Sequence, residues 1–154
     1  MSHVVEEVEL GGGVLVGQDG SAASGEAVRW AADLASRLGM PLHVLRAWVI
    51  TKAPKPATQQ LGYVAPMSDY EAAVRAELEN DVRHLGLPGQ VELHVVHGHS
   101  AKKLLLAARG AEMVVVGRRG RGGFRGLGFG STADQVVRNA LCPVIVVPVQ
   151  PTDA

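Results

Sequence analysis

Between Gly117 and Ser131 the chain reads GRRGRGGFRGLGFGS, with seven glycines and four arginines in fifteen residues. Two chemistries use that mixture. Disordered RGG segments grip RNA through many repeated arginines. Ordered glycine-rich loops instead turn their N–H groups into one concavity and let an anion approach the backbone closely. The flanks separate the two readings: the segment occurs once, and apolar runs stand on either side of it, MVVVG (113–117) and VIVVPV (144–149). Gly130-Ser131-Thr132 then opens a helical pattern, whose unpaired N–H groups and dipole favour phosphate. The two hydroxyls add donors, and Arg118, Arg119, Arg121 and Arg125 can neutralise a polyphosphate. A discrete anion site is therefore expected, and nucleic acid is not an expected partner.

Known phosphate motifs narrow the chemistry. No glycine of the segment precedes a lysine, which excludes a Walker A loop, and the first strand–helix turn, VGQDGSAAS, fails the Rossmann pattern. Asp19 in that turn suits a ligand contact, a helix cap or an Asx turn, and the roles are compatible. The histidines of HVVHGH (94, 97, 99) invite a metal reading. On a strand, His94 and His97 point to opposite faces, and no third ligand is evident beside His97 and His99. No metal site is expected. The single cysteine, Cys142, excludes an intrachain disulfide and reads as a buried, inert thiol. Phe124 and Phe129 are expected to anchor the loop to the sheet edge. The loop holds no acid and Asp134 falls one turn into the helix, so no catalytic residue is assigned.

The elements that must position these groups follow from hydrophobic patterning. Short β-branched runs occur at 13–17 (GVLVG), 91–96 (VELHVV), 113–117 and 144–149, with a longer mixed run at 41–50 (PLHVLRAWVI). Several are apolar at consecutive positions, the pattern of parallel strands covered on both faces. Helical stripes lie between them. Residues 25–38 carry Val28, Ala31, Ala35 and Leu38, closed by Gly39. Residues 68–85 begin SDYE, a capping box of Ser68 with Glu71, and carry Val74, Leu78, Val82 and Leu85. Ser100 and Ser131 are expected to cap the last two helices. The alternation predicts a single doubly wound α/β domain with helices on both faces. The irregular segment 51–67 reads as a flap beside the site or as a surface linker.

Composition agrees with one ordinary domain. The 154 residues are 47% hydrophobic and 19% charged, too apolar for a disordered chain. Fifteen basic residues balance fifteen acidic ones; without the four loop arginines, eleven face fifteen. Positive charge is thus local to the loop. No run approaches the eighteen apolar residues of a membrane span, and MSHVVEEVEL is acidic where a signal peptide is basic. A cytoplasmic protein is the expectation.

The spacing Gly117-x2-Gly120-x9-Gly130-Ser131, together with VLVGQDGS (14–21) and CPVIVVP (142–148), resembles the universal stress protein family over residues 13–149. The G-x2-G-x9-G-[ST] element marks the ATP-binding branch of that family. The resemblance implies a five-stranded parallel sheet in the order 3-2-1-4-5. It places Asp19 at the nucleoside end of the ligand with Gly17 and Gln18 beside it. Ala47 then lies against the adenine, Val116 and Gly117 flank the ribose, and Gly120, Gly130, Ser131 and Thr132 bind phosphate. Arg118, Arg119 and Arg121 fall at variable positions of the motif and are added on charge alone. ATP is the implied ligand, with Mg²⁺ held mainly by the phosphates, and a homodimer through the last strand (144–149) the implied assembly. A nucleotide-responsive regulator is the leading reading. The alternatives are a slow ATPase or phosphotransferase, or a binder of another adenine nucleotide such as a cyclic one. The turn HGHSAK departs from the family at Ser100, where proline is frequent. That departure is expected to alter a helix start and not the pocket. Trp48 either covers the adenine or packs under the 51–67 segment.

Overall fold

Val14, Leu15 and Val16 have no solvent-accessible surface and form, with Gly17, the first and central strand. Their consecutive apolar side chains have a simple cause. Val14 and Val16 enter one core and Leu15 enters the other, on opposite faces of the sheet. The computed structural model describes residues 4–119 and 128–148. Its elements run β1 (Val14–Gly17), α1 (Ala22–Leu38), β2 (Leu42–Trp48), α2 (Met67–Leu85), β3 (Val91–His97), α3 (Ser100–Ala108), β4 (Met113–Gly117), α4 (Ser131–Asn139) and β5 (Val144–Val147). All strand pairs are parallel, and the sheet order is β3-β2-β1-β4-β5, as the resemblance implied. Helices α1 and α2 cover one face through Ala27, Val28, Ala31, Val74 and Leu78. Helices α3 and α4 cover the other through Leu104, Ala107, Ala133 and Val136. No helix among the described residues is long and apolar enough to cross a membrane.

The helix starts differ from the sequence expectation in a consistent way. Helix α1 begins at Ala22, upstream of Gly25, because Ser21 caps it by accepting the Ser24 N–H at 3.1 Å. Helix α2 begins at Met67 behind Pro66, so Ser68 lies inside the first turn and no capping box forms. Glu71, its expected partner, accepts the Val5 N–H at 2.8 Å instead. Ser100 and Ser131 are first helical residues; the caps are His99 and Gly130, neither with a side-chain hydrogen bond. The C-terminal glycines behave as read, with Gly39 and Gly86 in the left-handed region at φ 69° and 59°.

One buried charge ties the two-layered half together. Arg46 on β2 is only 4% exposed and faces α2. Its guanidinium donates to Glu77 Oε1 at 2.6 Å and to Gln18 Oε1 at 2.9 Å, with Asp81 Oδ2 at 3.9 Å. Gln18 completes the ring by donating from Nε2 to Asp81 at 2.9 Å. Removing one partner of a buried pair leaves a charge in a poorly solvated place, at about 3–5 kcal/mol where burial is complete. Glu77 is partly exposed, and Asp81 and Gln18 would remain. Glu77→Ala is therefore expected to cost about 2 kcal/mol in urea unfolding; a loss within about 0.5 kcal/mol, the range of ordinary surface changes, would refute this role.

Candidate functional site

A cleft of about 330 Å³ opens at the carboxyl ends of β1, β2 and β3. This is where the chain order reverses, with β1 followed by β2 on one side and flanked by β4 on the other. Asp19 comes from the turn after β1, and Arg46, Ala47, Trp48 and Val49 come from the end of β2. Gly98, His99, Ser100 and Ala101 bring the start of α3, and Ser131, Thr132 and Gln135 bring the start of α4. Two helix N-termini therefore meet in one cleft, opposite a single carboxylate. In α4 the Asp134 N–H already bonds the Gly130 carbonyl at 2.9 Å. Ser131, Thr132 and Ala133 form the first turn of α4, where helix N–H groups lack intrahelical acceptors. They form an anion-favouring edge.

The ends of the glycine-rich segment are held by backbone bonds. Arg118 N–H donates to Val147 O at 2.9 Å, and Gly130 N–H donates to Arg118 O at 2.7 Å. The second bond closes the segment at its base and sets Gly130 at the entrance to α4. Asp19 does two things at once: its Oδ1 accepts the Ser21 N–H at 2.9 Å in an Asx turn, and it lines the cleft. Ala47, Ser131 and Thr132 also line it, so four of the expected residues meet there. Gly17 ends β1, and Val116 and Gly117 end β4; none of the three lines the cleft. A Cβ on Gly17 would lie 2.9 Å from Leu104 Cδ1, so the glycine lets the buried Leu104 side chain of α3 sit close against β1. Gln18 points away, towards α2, in the Arg46 ring. Arg118 is exposed and Arg119 half-buried, and neither lines the cleft. Gly120 and Arg121 lie outside the described residues, as do Phe124 and Arg125.

The model of the universal stress protein family, named Usp, matches residues 13–148. The chain belongs to that family. A universal stress protein of Mycobacterium tuberculosis is 36% identical over 134 residues, covering 86% of this chain and 44% of that protein. The chain spans about half the length of the curated relatives it matches. Among solved structures, a universal stress protein in complex with cAMP superposes with a TM-score of 0.66 at 23% identity, covering 92% of this chain and 98% of that one. An Arabidopsis thaliana family member with AMP bound gives 0.58 at 18% identity, covering 91% and 93%.

In this universal stress protein the turn after β3 is part of the pocket. Gly98, His99, Ser100 and Ala101 all line the cleft, which corrects the expectation that HGHSAK affects a helix start alone. The signal was available: the turn leaves a strand at its carboxyl end and enters a helix, as the two named turns do. Trp48 is 4% exposed and sits in the core cluster with Ala53, Ala65 and Tyr70, which is packing under the 51–67 segment. Its ring is nearly parallel to Tyr70 (9°, centroids 6.5 Å apart) and tilted against His97 at 4.8 Å. Its Nε1 is buried without a hydrogen-bond partner among the described residues, a desolvated donor in the cleft wall. Cys142 is half-buried, and burial pushes its thiol pKa up, away from nucleophilic use.

The 51–67 segment divides in two. Lys52, Ala53 and Pro54 line the cleft. Beyond them Gln59 acts as a clamp: Nε2 donates to Tyr63 O at 2.6 Å, and Oε1 accepts from Ala65 N and Tyr70 Oη, each at 2.9 Å. Gln59→Ala removes these bonds together with a longer one from Nε2 to Gln60 O at 3.4 Å; a net bond is worth about 1 kcal/mol. Amide hydrogen exchange at Ala65, whose N–H Gln59 Oε1 accepts, should then accelerate by about fivefold or more, the equivalent of one such bond, with the sheet unaffected; unchanged exchange there would show that the clamp holds nothing.

Proposed function

We propose that this chain binds ATP in the cleft between β1, β2, α3 and α4 and acts as a nucleotide-responsive regulator of a stress response rather than as a fast catalyst. The observation that carries the reading is the meeting of two helix N-termini and Asp19 across one cleft at the strand-order reversal. Family membership and the cAMP and AMP complexes of structural neighbours support an adenine nucleotide. The choice of ATP rests on the G-x2-G-x9-G-[ST] spacing and on the basic segment that carries it.

In this reading Asp19 takes a hydroxyl of the nucleoside, and Ala47 leaves room for the base beside Trp48. Val116 and Gly117 floor the ribose, with Gly17 letting α3 approach. Gly120, Gly130, Ser131 and Thr132 receive the phosphates, and Arg118, Arg119 and Arg121 add counter-charge. Gln18 acts indirectly by fixing Arg46 in the cleft wall. Asp19 is the only carboxylate among the described lining residues, which fits Mg²⁺ held mainly by phosphate oxygens and water. We extend the reading to a cytoplasmic homodimer paired through β5, an edge strand whose Val144, Ile145 and Val146 are half-exposed.

Charge in the first turn of α4 separates ATP from smaller nucleotides. Thr132→Asp suits a helix N-terminus and should leave the unfolding midpoint unchanged or slightly raised. The new carboxylate faces the phosphates, so calorimetric affinity should fall more than tenfold for ATP–Mg²⁺ and less for AMP. Equal losses for ATP and AMP would move the ligand to a monophosphate or cyclic nucleotide, the second reading. Absence of heat with ATP, AMP and cAMP on the unaltered protein would refute nucleotide binding in this cleft.

A further inference from the structure

The amino-terminal end of the sheet carries a second cluster of chemistry-bearing side chains. His43 and Glu92 are register partners on β2 and β3, and His94 stands two residues further along β3, on the same face as Glu92. His43 Nδ1 lies 2.9 Å from His94 Nε2 and 3.1 Å from Glu92 Oε2, and the three ligand atoms fall within 4.8 Å of one another. His43 is 6% exposed, whereas Glu92 is exposed and His94 intermediate. The far side of the His43 ring packs against Gly13, where a Cβ would lie 3.1 Å from Nε2 and 2.7 Å from Pro41 O. A glycine at φ 89° thus makes the room that the imidazole fills.

Hydrogen bonding alone satisfies this cluster poorly. Both His94 Nε2 and Glu92 Oε2 converge on one nitrogen of His43, and one proton on Nδ1 cannot point straight at both. A divalent cation can serve all three. With bonds of about 2.0–2.1 Å at tetrahedral angles, neighbouring donors stand about 3.3 Å apart; the two spacings to His43 Nδ1 are within a few tenths of an ångström of that, and the third pair, within 4.8 Å, closes by side-chain rotation of the more accessible Glu92 and His94. Two imidazoles and a carboxylate match zinc-type transition metals and not Mg²⁺ or Ca²⁺.

We propose that His43, His94 and Glu92 form a binding site for a divalent transition-metal cation of the zinc class, with water in the fourth position from the open edge of the sheet. The cation clips the edge strand β3 to β2. Three protein ligands come from two strands already held in register, so the site needs no rearrangement of backbone.

The test uses the full chain, freed of metal by a chelator and titrated calorimetrically with Zn²⁺. One equivalent should bind, and the unfolding midpoint should rise with Zn²⁺. Glu92→Gln and His94→Gln stand at accessible positions and keep the shape of the side chain. Each should weaken Zn²⁺ by at least about a hundredfold, the upper range seen even for outer-shell changes, with circular dichroism unchanged. Replacing His84, His97 and His99 together by Asn should leave the affinity as it was. Failure to bind one equivalent, binding that survives both Glu92→Gln and His94→Gln, or binding abolished by the triple replacement would each overturn the site.

Discussion

Strand β1 is the constraint from which the rest follows. It is four residues long, has a neighbour on each edge, and has an apolar core on each face. The N–H and C=O groups of Val14, Leu15 and Val16 must be met by the flanking chain on either side, because those three residues are sealed from water. Parallel neighbours require crossover connections, and those connections are the helices that close both faces. The chain leaves β1 to build β2 and β3 on one side, then returns to build β4 and β5 on the other. The cleft is the consequence: crossover helices depart in opposite directions from β1 and β4, and their starts do not fill the space between them.

That constraint explains what the sequence made legible. Runs such as Val14-Leu15-Val16 and Val114-Val115-Val116 are apolar at consecutive positions because alternate residues enter different cores. Burial on two faces writes itself into composition. Helix starts are written less clearly, since several polar residues near one another can supply the cap. At α4 the serine of the motif is the first helical residue, and Gly130 takes the cap position because its N–H is committed to Arg118 O. A tertiary bond, invisible in the local pattern, decides between neighbouring residues.

Side-chain destinations were the least legible feature. Gln18 sits beside Asp19 in sequence, yet the two point to different sides of the sheet end: Asp19 into the cleft, Gln18 to Arg46 and Asp81. The period of two in extended chain separates adjacent residues in this way. The histidines show the converse. His94 and His97 were expected on opposite faces and are found there, with His97 against Trp48. The partners of His94 are Glu92, two residues back, and His43, 51 residues away. Only the pairing of Leu42 with Val91, which fixes the β2–β3 register, brings His43 opposite Glu92. Sequence spacing carries no trace of that register.

Strand β2 joins the two ends of this architecture. His43 lies near its start and Ala47 near its end, four residues and about 13 Å apart at the usual rise per residue. Arg46, between them, faces α2 and is held by Glu77, Gln18 and Asp81. The strand is therefore fixed at both ends by polar groups and along its length by Leu42, Val44 and Leu45. A rigid β2 matters because the cleft wall is made of its last residues, where Trp48 packs beneath the segment clamped by Gln59. Ligand contacts made there meet a preorganised surface, which lowers the ordering cost of binding. Under the proposed nucleotide reading, the same stiffness puts any ligand-driven change in the turns and helix starts around the cleft and not in the sheet.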